Sequence, residues 1–163
     1  ASIDSLLSDN PSTPARLLAL DGITNPQNVG MIIRSAVAAG LDGLLYPRKG
    51  VAALGPLVIK ASAGTVFRAP LILCDTLVPA LEQLKTCGYK IATLEAAAPE
   101  SLFSYDAQER MVFVLGGETS GVSDAVSQLA SQRLAIPMSN EVESLNVAVT
   151  AALVAFHLAT NRH

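Results

Sequence analysis

The chain has 163 residues, 50% hydrophobic and 15% charged, which suits one domain with a sizeable core and excludes a disordered polyelectrolyte. Aromatic residues make up 4% and there is no Trp, which argues against an aromatic platform for single-stranded bases; the net charge of −3 excludes a uniformly basic nucleic-acid binder. The charge is uneven: residues 34–68 hold five basic side chains (Arg34, Arg48, Lys49, Lys60, Arg68) against the single acid Asp42. On one face of a fold these would make a positive patch, although an ordinary solvated surface is the simpler reading.

Residues 1–15 are polar, with Pro11 and Pro14, and read as an N-terminal arm ahead of a domain over 16–163. The first residue is Ala1 rather than Met, which leaves a preceding domain as an open expectation. Short apolar runs then alternate with helical patterns. Strands are expected at Leu17–Leu20, Leu44–Tyr46, Leu71–Cys74, Ile91–Leu94, Val112–Leu115 and Leu134–Ile136. Each is short, nearly all apolar, and about a helix away from the next, as in a parallel α/β sheet covered on both faces.

Helices are expected at Val29–Ala39, with Asn28 as cap and Gly40 as the stop, and at Thr76–Cys87, closed by Gly88. Two more are expected at Ser123–Ser131 and at Leu145–Thr160, the last apolar nearly all round and so either deeply buried or an interface. Residues 96–108 are the most linker-like interior stretch. Cys74 and Cys87 lack metal-ligand spacing and read as buried thiols of a reducing compartment. His157, inside the last helix, reads as packing or surface, and His163 lies at the end of the chain. No metal is expected. No run reaches membrane-spanning length and no signal peptide is visible, so a cytoplasmic protein without membrane attachment is expected.

Open α/β sheets bind ligands beyond the carboxyl ends of their strands. The informative turns therefore follow Leu20, Leu115 and Ile136. The first, Asp21 to Gly30, leads to Asn28 and, nearly two helical turns later and so close to the same face, to Arg34. An Arg among Met31, Ile32, Ile33 and Ala36 asks for an anionic partner or an open cleft; a peripheral ion pair is the alternative. The second, Leu115-Gly116-Gly117-Glu118-Thr119-Ser120-Gly121, is neither a Walker loop nor GxGxxG. Its glycines permit close backbone approach to a ligand, and Glu118 disfavours a polyphosphate; a plain strand-to-helix turn also fits. The third runs from Ile136-Pro137-Met138 to Ser144-Leu145-Asn146-Val147, with Ser144 placed to cap the last helix and Asn146 in its first turn.

Together the three turns resemble the motifs of the SpoU (TrmH-like) family of the SPOUT superfamily: N-P-x-N-x-G-x-x-x-R-x-A at 25–36, L-G-x-E-x-x-G-V-S at 115–123, and I-P-M followed by S-L-N-V at 136–147. Lys60-Ala61-Ser62-Ala63-Gly64-Thr65 looks like the family's K/R-x-S-x-G segment, and the likeness spans about 16–160. The resemblance implies an RNA ribose 2′-O-methyltransferase acting on rRNA or tRNA with S-adenosyl-L-methionine. It also implies a homodimer with its active site near the subunit interface, and a deep trefoil knot formed by the turns at 115–121 and 136–146 and the final helix. Carried over by position, it implies functional roles for Asn28, Arg34, Glu118, Ser144 and Asn146. Cofactor contacts would come from Leu115, Gly116, Gly117, Ile136, Met138, Leu145 and Asn146. RNA phosphates would be tracked by Arg34, Arg48, Lys49, Lys60 and Arg68. Ala148 departs from the pattern, many members having Ser there.

The family's usual mechanism makes the residue at Arg34 the base, yet a guanidinium stays protonated in proteins. Binding phosphate or alkoxide charge is the role expected of Arg34, and proton acceptance stays open. Two rivals are a cofactor-binding RNA module of the same fold without methyl transfer, and a Rossmann-type enzyme. The latter would carry its glycine-rich turn after the first strand rather than the fifth.

Overall fold

The computed structural model describes residues 2–8, 16–106 and 110–160. Pro11, Pro14 and His163 lie outside the described residues. Strands β1 (Arg16–Asp21), β2 (Gly43–Pro47), β3 (Leu71–Cys74), β4 (Lys90–Leu94), β5 (Glu100–Ser101), β6 (Met111–Gly116) and β7 (Gln132–Ala135) form one sheet in the order β3-β2-β1-β6-β4-β7-β5. Every pairing is parallel. Helices α1 (Ile3–Ser8), α2 (Pro26–Ala39), α3 (Pro56–Ala61), α4 (Leu77–Thr86), α5 (Asp124–Leu129) and α6 (Val147–Thr160) accompany it.

Alternation along the strands splits the apolar residues between two cores. Leu18 and Leu20 of β1, with Phe113 and Leu115 of β6, face α2 and α6; Leu17, Ala19, Val112 and Val114 face α4 and α5. Both faces are dry, which is why the strands carry no polar alternation. Each fully buried Leu, Ile or Phe contributes about 1.5–3 kcal/mol of burial.

Several local expectations are corrected. α2 begins at Pro26, and its cap is Asn25, whose side chain accepts from the backbone N–H of Gln27 at 2.9 Å and of Asn28 at 3.2 Å. Pro26 suits the first helical position because its missing N–H would have had no partner there. Asn28 is thus released from capping, and its side chain points elsewhere. Gly40 ends α2 at φ 68°, in the left-handed region, as expected. α6 begins at Val147 rather than Leu145, and it is Asn146, not Ser144, whose side-chain oxygen accepts from the N–H of Ala148 at 2.8 Å. Ser123 caps α5, accepting from the N–H of Val126 at 3.4 Å.

The sequence reading has no element where α3 and the 3-10 turn Thr65–Arg68 lie, nor at β5. α3 packs on α2 where Gly30 removes a side chain: a Cβ there would stand 2.5 Å from Ala61 Cβ and 2.8 Å from the backbone N of Ser62. Within the N-terminal stretch, residues 3–8 form a helix, and Ile3, Leu6 and Leu7 pack against the second core. Within 96–108, Glu100–Ser101 pairs with β7 and Leu102 is fully buried.

Cys74 is half-buried and Cys87 is exposed, so the second thiol departs from the expected burial; both are free. Burial pushes the Cys74 thiol up to about 11. His157 packs its ring edge-on to Phe103, with centroids 5.7 Å apart, a packing role as expected. Among the described residues no helix is long and apolar enough to cross a membrane.

Candidate active site

β1, β6, β4 and β7 are adjacent, so their carboxyl ends and following loops share one rim of the sheet. The loop after β6 doubles back on itself: the N–H of Gly121 donates to Gly117 O at 2.8 Å. A Cβ on Gly116 would lie 2.0 Å from the Gly121 carbonyl carbon, and one on Gly117 would lie 2.9 Å from Gly22 O. The glycine pair is therefore required by close approach of the chain to itself. Asp21, at the end of β1, accepts from the N–H of Ser123 at 2.7 Å and fastens the far end of this loop.

Three side chains distant in sequence converge beside that loop. Glu118 accepts from the side-chain amide of Asn28 at 3.1 Å and from that of Asn146 at 2.9 Å. The Asn146 amide also donates to Asn28 Oδ1 at 3.2 Å, closing a ring. An ionised carboxylate only accepts, so both amides must turn their nitrogens toward it. Asn28 comes from the first turn of α2, Glu118 from the β6–α5 loop, and Asn146 from the head of α6. Asn146 uses both ends of its amide, its oxygen capping α6 while its nitrogen binds the carboxylate.

Glu118 and Ser144 also line a pocket of 340 Å³, a volume within the usual small-molecule range of about 300–1,000 Å³. Leu115, Gly116, Gly117, Ile136, Met138 and Leu145, all expected at a cofactor site, line it as well; Asn146 does not, and sits behind Glu118 instead. Leu134 and Val147 add apolar wall. Neither Lys, Arg nor His is among the lining residues. Ala148 is buried in the core and does not line the pocket, so its departure from the motif leaves the pocket wall unchanged.

Arg34 does not join the ring. Six residues at about 100° each carry it about 120° round the helix from Asn28, so the expectation of a shared face fails. It lies one turn beyond Gly30, on the stripe of α2 that meets α3 and the turn 65–68. Its side chain is exposed, and no hydrogen bond or ion pair engages it among the described residues. Arg48 pairs loosely with Asp75 at 3.9 Å, both well exposed; Lys49, Lys60 and Arg68 are exposed.

Sequence reasoning missed the turn after β4. Leu94, Glu95 and Ala96 line the pocket, and the Glu95 carboxylate is braced by the Ser127 hydroxyl at 3.2 Å and by Arg133 at 3.5 Å. The rule that picked the other turns applies equally to the end of this strand; what the sequence lacks is the strand order that sets β4 beside β6.

The description SpoU rRNA methylase family matches residues 15–156. The chain belongs to that family. It is 34% identical over 147 residues to a putative TrmH family tRNA/rRNA methyltransferase of Staphylococcus aureus, covering 90% of this chain and 59% of that protein. It is 35% identical over 156 residues to the 23S rRNA (guanosine-2′-O-)-methyltransferase RlmB of Xylella fastidiosa, covering 96% of this chain and 63% of that protein. Among solved structures it resembles the SpoU methyltransferase AviRb of Streptomyces viridochromogenes in complex with AdoMet, with a TM-score of 0.83 and 25% identity over 93% of this chain and 62% of that one. This SpoU-family chain spans about six tenths of the length of these relatives.

Proposed function

We propose that this SpoU-family chain transfers a methyl group from S-adenosylmethionine to a ribose 2′-hydroxyl of RNA. The observation that carries the proposal is the Asn28–Glu118–Asn146 ring at the edge of a pocket built from two of the family's motif loops. The pocket suits an adenosyl group and a methionyl chain: its walls are Leu115, Leu134, Ile136, Leu145 and Val147, its rim offers backbone at Gly116 and Gly117, and carboxylates at Glu118 and Glu143 favour a cation. The same lack of basic side chains makes it a poor site for ATP or NAD, whose phosphates want them. When bound, the cofactor supplies an electrophilic methyl on a sulfonium, with no metal required.

The protein's part is then position and charge. Glu118, held by two amides, fixes the loop after β6 against α2 and α6, so the pocket and the head of α2 keep one geometry. Such placement of reactants is worth on the order of 7–11 kcal/mol in favourable cases. Arg34, exposed and permanently cationic, binds the substrate phosphate and steadies charge on the reacting oxygen. Support for RNA also comes from the exposed cations Arg48, Lys49, Lys60 and Arg68. Transfer RNA and ribosomal RNA both fit this reading.

A second copy of the chain completes the reading. Val149 and Phe156 are seven residues apart on one face of α6, and they are 45% and 48% exposed; Met31, on the α2 helix packed beside α6, is 47% exposed. Such an apolar face on two adjoining helices suits a homodimer.

Titration calorimetry separates the classes: S-adenosylhomocysteine should bind and ATP and NAD should not. Arg34→Ala should keep that binding while methyl transfer to pooled RNA falls at least 100-fold, the scale of one lost charge-stabilising group. Binding of ATP in place of S-adenosylhomocysteine would overturn the assignment.

A further inference from the structure

The segment Lys60 to Thr65 stands outside the pocket and the polar ring, yet it is built with care. Ser62 is fully buried, and its hydroxyl donates to Ile59 O at 2.9 Å while accepting from the N–H of Val66 at 3.4 Å. The Thr65 hydroxyl donates to Ser62 O at 2.7 Å. Ala63 and Gly64 are both left-handed, at φ 52° and 75°; for Ala63 that conformation is strained and persists only where its surroundings enforce it. The whole turn is seated on α2 through Gly30, whose missing side chain lets Ala61 and Ser62 close in. What this rigid turn presents to solvent is Phe67, 76% exposed, the highest exposure of any large hydrophobic side chain described. Arg68 follows it in the chain, Lys60 stands near the end of α3, which packs against the same turn, and Arg34 lies on the stripe of α2 that meets both.

We propose that Phe67 stacks on one unpaired base of the RNA while Lys60 and Arg68 hold the phosphates on either side. This rests on the reading of the chain as RNA-directed. A ring face offered among cations matches a nucleotide strand, which brings a flat apolar base and an anionic backbone together. It matches a protein partner less well, because the cores of protein interfaces are depleted in Lys. The scarcity of aromatic residues excludes a multi-base platform, and one base needs only one ring. The turn seats on α2 at Gly30, two residues after Asn28, so a base held there belongs to a nucleotide close to the one that reacts.

The test uses the intact chain and a short single-stranded RNA carrying 2-aminopurine, whose fluorescence is quenched by stacking. Wild-type protein should quench it. Phe67→Ala should lose the quench and bind RNA at least five-fold more weakly, the low end for one lost stack. Phe67→Trp should retain both, Phe67→Leu should lose the quench, and the dependence of affinity on salt should stay unchanged in all three. Since Phe67 is exposed, S-adenosylhomocysteine binding and the melting temperature should hold steady. Quenching by Phe67→Ala equal to wild type overturns the stacking alone. So does conversion of a dimer to monomers by Phe67→Ala with the quench intact, which would assign the ring to a second copy. Failure of the wild-type protein to bind RNA overturns the RNA reading itself.

Discussion

At the residue scale the centre of the account is a carboxylate held by two amides. Both amides donate to one oxygen, Glu118 Oε1, so replacing Glu118 by Ala removes that acceptor from both. A buried donor left unpaired costs about 1–3 kcal/mol, and Asn28 is only 8% exposed. Glu118→Ala should therefore lower both the melting temperature and the rate of methyl transfer, whereas Ser144→Ala, at an exposed residue without a capping role, should leave the melting temperature unchanged. Thermal melts of the two variants check this. A second residue-scale expectation concerns alkali. The Tyr46 hydroxyl donates to Ala52 O, and burial raises its pKa from 10.0 to about 12. The unfolded chain releases this proton near 10 while the folded one keeps it, so stability should fall as pH rises between 10 and 12. Tyr46→Phe should flatten that fall in melts taken across the range.

The residues of the ring were legible as types and spacings, because Asn28, Glu118 and Asn146 each sit in a turn that follows a strand. Their mutual bonds were not. Asn28 looks like a cap from sequence alone, and only Asn25 bonding to the N–H of Gln27 frees it for Glu118. Arg34 turns away from Asn28 because six residues fall about 120° short of two full helical turns, a difference that spacing alone hides.

At the element scale, the main strands were readable because burial on both faces makes them continuously apolar, as β1 and β6 are. α3 and the 65–68 turn were not, being short and bearing exposed apolar side chains such as Leu57 and Phe67 that give no periodic signal. β5 has two residues and exists through its neighbour β7. The contact of α2 with α3 makes a sharp prediction. Gly30→Ala would gain about 1 kcal/mol of helix propensity, yet the added carbon meets backbone at 2.8 Å on two sides, and backbone cannot step aside as a side chain can. Overpacking should win, for a net loss of about 1–2 kcal/mol measured by denaturant unfolding.

At the scale of the whole molecule, the acidic average of −3 coexists with exposed cations at Arg34, Arg48, Lys49, Lys60 and Arg68. Charge reversal at Arg48 and Lys49 together should weaken RNA binding and flatten its salt dependence, by roughly one to two in the log–log slope. An unchanged slope would remove these two from the RNA path. The apolar face of α6 was foreseen as either core or interface, and the structure divides it: Val147, Ala151, Val154 and Leu158 are buried, while Val149 and Phe156 remain in solvent. Phe156→Glu should turn a dimer into monomers in sedimentation experiments and leave the fold intact.

The central claim concerns which atom receives the methyl group. The direct measurement is to incubate the protein with pooled RNA and S-adenosylmethionine labelled in its methyl group, digest the product to nucleosides, and separate them by chromatography with mass detection. The account predicts label in 2′-O-methylated nucleosides, absent when Arg34→Ala replaces the wild type. Label on a base, or label undiminished by Arg34→Ala, would contradict it.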